Sequence, residues 1–364
     1  MNDTKFPVYV RCSTFNHAKF IEDAMNGFTM QQTNFPFVCA IIDDASTDGE
    51  PEVIRNYLQE HFNLADKFIV RNEETDDYIM TFARHKTNMN CYFAVYYLKY
   101  NHYSISKDNY SYASEWDNNA KYYGICEGDD YWSDPVKLQK QIDFLESHGD
   151  YTMTCNRTHL YSVKDQKMIG ENYCYNCSRE IDPIDVVNRT GLFISTCSIV
   201  FRRSVLNNQP EYWEKCEVGD YPLQIACAFK GKTMFFNEIM SVYRVDNPAS
   251  WMGQQQWRGL SPQRLKIIKS RIKMLRGFAC DFPMYNSFLI NKSHDEINRN
   301  YPKWNASKKE KESYLDFFSD YTDNYCLKLR IELFLLRLRI PLIRAVYRRL
   351  FLHGYYQKVK TYRR

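Results

Sequence analysis

The apolar run Phe37-Val38-Cys39-Ala40-Ile41-Ile42 passes directly into Asp43-Asp44-Ala45-Ser46-Thr47-Asp48-Gly49, and an amphipathic stretch from Glu52 to Phe62 follows. A short apolar run, ended by turn formers and followed by helical periodicity, reads as a buried strand that feeds a helix. The same pattern stands upstream, where Phe6 to Cys12 reads as a strand and His17 to Gln31 as a helix with Phe20, Ile21, Ala24, Met25 and Phe28 on one face. Two such units in succession form a βαβα arrangement, and with it a mixed, mostly parallel sheet flanked by helices.

Reading outward, Lys67 to Arg71 is expected to be a third strand, followed by a polar connection containing Asn88 and Asn90 and a helical stretch from Cys91 to Tyr100. The tyrosine- and asparagine-rich segment Asn101 to Asn119 reads as an insertion loop before a strand at Tyr122 to Cys126. Asp134-Pro135 marks a helix start, with the helix from Val136 to His148 closed by Gly149. Met153 to Tyr161 and Ile194 to Arg202 are strand candidates, Pro222 to Phe229 a short helix, and Thr233 to Arg244 one or two strands. From about Leu260 the pattern turns helical and basic. The expected division is one α/β domain over residues 1–255, with halves 1–125 and 126–255, and a helical C-terminal region over 256–364.

With 364 residues, 44% hydrophobic and 25% charged, the chain falls in the globular range. A net charge of +4 is too small for a nucleic-acid binder recognised by charge alone, and most of the excess lies at the C-terminus. No apolar run reaches the roughly 18 to 20 residues needed to span a bilayer, and Met1 to Lys5 leads into a strand-like segment rather than a signal peptide. The expected location is therefore the cytoplasm. The 12 cysteines stand singly in apolar stretches, which reads as reduced, buried thiols. Cys174 and Cys177 form one CxxC pair, but no second pair follows at a spacing that would complete a four-ligand zinc site.

In an open α/β sheet, ligands bind beyond the carboxyl ends of the strands. Three such ends carry polar loops: Ser13-Thr14-Phe15-Asn16, the Asp43 to Gly49 loop, and Glu127-Gly128-Asp129-Asp130. Packed carboxylates repel one another unless a cation joins them, so the Glu127 to Asp130 cluster points to a site for Mg²⁺ or Mn²⁺, with Asp129 as ligand. A cation so held suits a diphosphate, while Phe15 offers a face for stacking and Asp44 an acceptor for base or ribose. The plainer readings are that Asp43 and Asp44 cap a helix and that Ser13 and Asn16 are turn residues.

Taken in order, Ser-Thr-Phe-Asn, Gln-x-Thr, Asp-Asp-Ala-Ser-Thr-Asp-Gly and Glu-Gly-Asp-Asp-Tyr-Trp-x-Asp-Pro-x-Lys-Leu-x-Lys-Gln resemble the family 2 glycosyltransferases of GT-A fold, over about residues 6 to 250. The resemblance implies a nucleoside diphosphate sugar donor, with UDP, GDP or dTDP as carrier, and a single inverting displacement. On that pattern Ser13, Phe15 and Asn16 belong to the nucleotide-contacting turn and Asp44 is the acidic residue after the second strand. Glu127-Gly128-Asp129, with Asp130 beside it, stands where the family has Asp-x-Asp. Glu127 departs from that pattern while keeping the carboxylate. The resemblance also implies a base at a helix start beyond the metal motif, and Asp220 in Val218-Gly219-Asp220-Tyr221-Pro222-Leu223 fits that place. Its plainer role is an N-cap before Pro222. Ser195-Thr196-Cys197-Ser198 is expected to line the pocket.

From Cys326 to Arg364 apolar and basic residues interleave with almost no acid. Such a segment suits an anionic membrane surface, and with it a lipid-linked saccharide acceptor; a helical hairpin packed on the domain reads equally well. A nucleotidyltransferase shares metal carboxylates on such a sheet, but the chain has no glycine-rich phosphate loop. A non-catalytic sugar-binding module needs neither the carboxylate cluster nor a placed base. Gln254-Gln255-Gln256-Trp257-Arg258 differs in order from the Gln-x-x-Arg-Trp motif of processive synthases, which favours single addition.

Overall fold

A computed structural model describes residues 6–189, 193–247, 250 and 261–300, and scattered positions between 307 and 321. The basic segment 326–364 and the Gln254 to Arg258 stretch lie outside the described residues. The chain divides into two compact units: Met1–Val186 with Thr190–Gln209 and Asp220–Gln255, and Val187–Arg189 with Pro210–Gly219 and Gln256–Arg364.

The first unit is built on one mixed sheet. Its strands are β1 (Val8–Thr14), β2 (Phe37–Asp43), β3 (Arg71–Glu74), β4 (Tyr78–Arg84), β5 (Cys91–Leu98), β6 (Tyr122–Ile125), β7 (Tyr131–Trp132), β8 (Tyr151–Ser162), β9 (Lys167–Asn172), β10 (Arg179–Glu180), β11 (Val200–Arg202) and β12 (Lys232–Val245). The order is β10-β12-β8-β11-β6-β1-β2-β5-β4-β3, with β7 on β12 and β9 on β8. Its centre, β6-β1-β2-β5, is parallel, as the βαβα pattern implies. β4 on β5 and β11 on β6 are antiparallel additions on either side.

Every residue of β2 is buried, the signature of a parallel strand covered on both faces. Helices α1 (Ile21–Thr29), α2 (Glu50–His61) and α3 (Lys137–Ser147) each bury an apolar stripe, Ile21, Ala24, Met25 and Phe28 in the first case. Gly27 lets α1 approach the motif: a Cβ there would stand 2.8 Å from the Trp132 carbonyl oxygen. Trp132 is 1% exposed, donates from Nε1 to the Cys197 oxygen at 2.9 Å and packs edge-on against Phe28 at 5.1 Å.

Three expectations are corrected. Cys91–Leu98 is a strand, not a helix: all eight residues are buried between β2 and β4, and an unbroken apolar run carries no period that separates a buried strand from a buried helix. The third strand begins at Arg71, where the expected one ended, and the Lys67 to Val70 stretch is a turn closed by the Ile69 and Val70 amides on the Asp66 oxygen. The Ile194 to Arg202 stretch is a 3-10 turn at Thr196–Ser198 followed by β11. Asn101 to Asn119 holds two 3-10 turns, Tyr103–Ile105 and Tyr110–Ala113, and a short helix Ser114–Asp117.

In the second unit α5 (Pro262–Asp281) and α6 (Asn286–Asn300) follow one another. Ser261 caps α5 by accepting the Arg264 amide at 3.2 Å, with Pro262 at the first helical position. Ile268, Ile272, Ile297, Tyr314 and Phe318 form its core. Among the described residues no helix is long and apolar enough to cross a membrane.

Candidate functional site

From β1 the sheet grows to β2 on one side and to β6 on the other, and at such a switch in strand order an open α/β sheet receives ligands in the crevice beyond the carboxyl ends of its strands. The main chain after β6 stays on β1: the Cys126 amide donates to the Arg11 oxygen and the Gly128 amide to the Ser13 oxygen, both at 3.0 Å. Gly128 is needed for this approach, because a Cβ would lie 2.1 Å from Thr14 Oγ1 and 2.6 Å from Thr14 Cβ. Glu127 accepts the Ser13 amide at 3.1 Å and faces Arg11 Nη2 at 3.4 Å. The Arg11 guanidinium lies 4.5 Å from the centre of the Tyr110 ring, which belongs to the insertion. Burial pushes the Glu127 carboxyl up, with Arg11 pulling against it and Asp129 adding to the rise.

The neighbouring carboxylates part company. Asp130 is 2% exposed and accepts the Arg244 amide at 2.8 Å; burial first, then the Asp129 charge, pushes its carboxyl well above the usual range. Asp129 lies at the crevice, 3.7 Å from His17 Nε2 and 3.4 Å from Asn247 Nδ2. Arg244 fixes the motif between them. Its Nη1 donates to the Asp129 oxygen at 2.7 Å, its Nη2 pairs with Asp23, and its guanidinium sits 4.8 Å from the Phe20 and Tyr131 ring centres.

The turn after β1 is stitched to the loop after β2. The Asn16 amide donates to Ser46 Oγ and the Thr47 amide to Asn16 Oδ1, both at 2.8 Å, and the Ala18 amide donates to Asp48 at 2.9 Å. Asn16 stands at φ 58°, a left-handed conformation its short amide tolerates. Glu50, fully buried, gathers the Thr14 hydroxyl, the His17 amide and the Ser46 hydroxyl. Ser13 Oγ is buried without a hydrogen-bond partner, and Phe15 is half-buried in the same turn. Asp44 points to the insertion: its carboxylate accepts the His102 amide at 2.7 Å and the Tyr103 amide at 3.0 Å. The same insertion is tied from below by Asp77, which accepts from Lys107 Nζ at 2.7 Å and Tyr112 OH at 2.8 Å.

Asp220 opens helix α4 (Asp220–Lys230) and accepts from Thr196 Oγ1 at 3.5 Å. Burial chiefly raises the Tyr243 hydroxyl, and the charges of Asp130, Asp129 and Asp220 add to the rise. Ser195 is 5% exposed and bonded to Asn172 at 2.9 Å, so it supports the wall of this region from within.

Among the described residues no three His, Cys, Asp or Glu side chains gather as a metal cluster; a divalent cation at the motif would have Asp129, with His17 beside it. Mg²⁺ and Mn²⁺ sites commonly take one or two protein ligands and complete the shell with phosphate oxygens and water, so two suffice for a site that also binds a diphosphate. Sequence reasoning missed His17, Glu50, Arg11 and Arg244. His17 directly continues the Ser-Thr-Phe-Asn turn and was within reach of the motif; Arg244 is brought in from a distant strand and carries no local signal.

No family model matches the chain. Among solved structures it is similar to residues 1–349 of TarS from S. aureus, crystallised in complex with UDP-GlcNAc, at a TM-score of 0.58 and 12% identity over 96% of this chain and 92% of that one. The crystal structure of TarS itself aligns at a TM-score of 0.55 over 94% of this chain and 55% of that one. The class of fold expected from the sequence is thereby established. In sequence the chain is similar to proteins Mb1547 of Mycobacterium bovis and Rv1520 of Mycobacterium tuberculosis, each 29% identical over 241 residues, 65% of this chain. It spans 58% of the length of these relatives.

Proposed function

We propose that this chain is a glycosyltransferase that moves a sugar from a nucleoside diphosphate sugar, UDP-linked by expectation, to a hydroxyl of a glycan or lipid-linked saccharide, with inversion at the anomeric carbon. The observation that carries the reading is the seating of Glu127 on the Ser13 amide, with Asp129 beside His17, beyond the carboxyl ends of β1 and β6. Carboxylates there face the place where an α/β sheet receives a diphosphate. The likeness to a fold crystallised with UDP-GlcNAc supports it.

Ser13 and Phe15 line the nucleotide side, and Glu127, held by Arg11 and the Ser13 amide, presents its carboxylate to the ribose. Asp44 borders the base pocket and fixes the insertion there; each of its oxygens keeps a lone pair after accepting one amide. Asn16 and Asp130 shape the pocket from behind. Mg²⁺ or Mn²⁺ held at Asp129 supplies charge stabilisation for the departing diphosphate. Asp220 takes the proton of the acceptor hydroxyl as its oxygen bonds to the anomeric carbon and the bond to the diphosphate breaks. The basic segment 326–364 draws the enzyme to the anionic inner face of the plasma membrane.

The test is a thermal-shift screen of nucleotide sugars with Mn²⁺, since a true donor stabilises the fold by mass action. Asp129→Ala is expected to weaken donor binding strongly, and Asp220→Asn to bind donor normally yet lose transfer. If no UDP-, GDP- or dTDP-sugar stabilises the chain, the reading fails; if Asp220→Asn turns over like the wild type, Asp220 is not the base. Co-sedimentation with anionic liposomes, comparing the full chain with one ended before Cys326, tests membrane attachment, and equal binding counts against it.

A further inference from the structure

The imidazole of His17 is 8% exposed, and its Nε2 is buried with no hydrogen-bond partner. Its orientation follows from the groups on its other side. Thr14 Oγ1 gives its one hydrogen to Glu50, an acceptor. At 3.2 Å from His17 Nδ1, the same hydroxyl oxygen can therefore only accept, so the ring carries its proton on Nδ1. The His17 amide, bound to Glu50 at 2.9 Å, fixes the backbone as well. What remains is Nε2, buried without a hydrogen-bond partner and facing Asp129 Oδ2 across 3.7 Å. A polar atom buried this way is costly unless something positive fills the gap.

A cation can bridge the two atoms after a small closure. Two metal–ligand bonds of about 2.1 Å place their donor atoms about 3.0 Å apart at the right angle of an octahedral site. The separation of 3.7 Å is about 0.7 Å wider, within the reach of a side-chain rotation of Asp129. The arrangement is that of a ligating histidine, one ring nitrogen on the metal and the other held by an outer partner, here the Thr14–Glu50 pair. The ligand types bear on the metal. Carboxylate suits Mg²⁺ and Mn²⁺ alike, but imidazole nitrogen favours Mn²⁺, because Mg²⁺ prefers oxygen and gives up its water reluctantly.

We propose that His17 Nε2 and the Asp129 carboxylate together ligate the divalent cation and that this nitrogen–oxygen pair selects Mn²⁺ over Mg²⁺. The proposal deepens the transferase reading at its cation site, though the metal site stands or falls on its own measurement. Mn²⁺ binding to the full chain is followed by electron paramagnetic resonance, with and without UDP, and pulsed measurements look for ¹⁴N coupling to the bound ion. The expected result is nitrogen coupling in the wild type, lost in His17→Ala and His17→Gln, with affinity for Mn²⁺ lowered about 10- to 100-fold in both. A large excess of Mg²⁺ should displace Mn²⁺ poorly from the wild type and readily from the variants.

Circular dichroism melting of the two variants checks that they fold, and the glutamine, which keeps bulk and polarity, is retained if the alanine does not. Absence of ¹⁴N coupling under both conditions, or unchanged Mn²⁺ affinity in the folded variant, overturns the proposal and leaves His17 as an ion-pair partner of Asp129. Nitrogen-coupled Mn²⁺ in a chain that no nucleotide sugar stabilises would uphold the metal site while removing the transferase reading. Donor binding without nitrogen coupling would do the reverse.

Discussion

Replacing Gly128 by alanine is the sharpest test of how the motif is seated. The peptide is pinned to β1 by the Gly128 amide on the Ser13 oxygen and the Cys126 amide on the Arg11 oxygen. A Cβ would fall 2.1 Å from Thr14 Oγ1, 2.6 Å from Thr14 Cβ and 3.1 Å from Ile21 Cδ1. Carbon atoms in contact sit about 3.5–4.0 Å apart, so the shortfall against Thr14 Cβ is about 1 Å. Thr14 does not yield, because Glu50 and His17 hold its hydroxyl and the register with Asp43 holds its backbone. The motif must lift instead, at about 1–3 kcal/mol for a forced overpacking, which lowers Tm by about 2–4 °C per kcal/mol. A shift of about 1 Å in Glu127 and Asp129 is expected to reduce transfer about 100-fold, beyond what lost stability explains. Gly149→Ala is the control, since nothing lies within 4 Å of a Cβ there. Scanning calorimetry and a coupled diphosphate-release assay read the two effects. A Gly128→Ala protein that melts within a degree of wild type and keeps its turnover would refute the close-approach argument.

Asp43 is buried and its carboxyl is pushed up to about 6 from an ordinary 3.8, chiefly by burial, so between those values the native state holds a proton that the unfolded chain has lost. Stability therefore falls as pH rises through that window, by about 2–3 kcal/mol for this group; in urea melts Asp43→Asn should gain on the wild type between pH 4 and pH 7, and a pH-independent difference would count against it. Asp44→Ala removes the acceptor for the His102 and Tyr103 amides, and hydrogen exchange in Asn101 to Asn119 should accelerate at least tenfold while β1 and β2 stay protected. Arg244→Met keeps the bulk but leaves the Asp129 oxygen and Asp23 without their donor, and is expected to cost about 2–3 kcal/mol in denaturant melts together with most donor affinity.

How much of this was legible in the sequence varies with the range of the interactions involved. β1, α1, β2 and α2 were readable because their signals are local: an apolar run, a turn rich in Ser, Asn and Asp, then helical spacing. Cys91–Leu98 was not, because a strand buried on both faces has no alternation to show. The turn chemistry gave Asn16 and Asp44 as polar loop residues, yet their partners, Ser46 and Thr47 for one and His102 and Tyr103 for the other, lie on different loops. A single sequence does not show which bonds such side chains make within the fold.

The two aspartates of the motif make the same point where it matters most for function. Asp129 and Asp130 are chemically identical neighbours, and the spacing from Glu127 singles out Asp129 by resemblance without giving a physical reason. The distinction comes from β12: its Arg244 amide claims the Asp130 carboxylate and its guanidinium claims the Asp129 backbone oxygen, which turns one carboxylate into the interior and leaves the other at the crevice. Burial then raises Asp130 well above the usual carboxyl range, and the nearby Asp129 charge adds to that rise. Asp130 is thereby committed to the Arg244 amide inside the fold, and Asp129 is the carboxylate of the pair left beside His17 and Asn247. Exchanging their places would require moving β12, and for that reason which of the two carboxylates is turned inward is decided by the fold rather than by the motif.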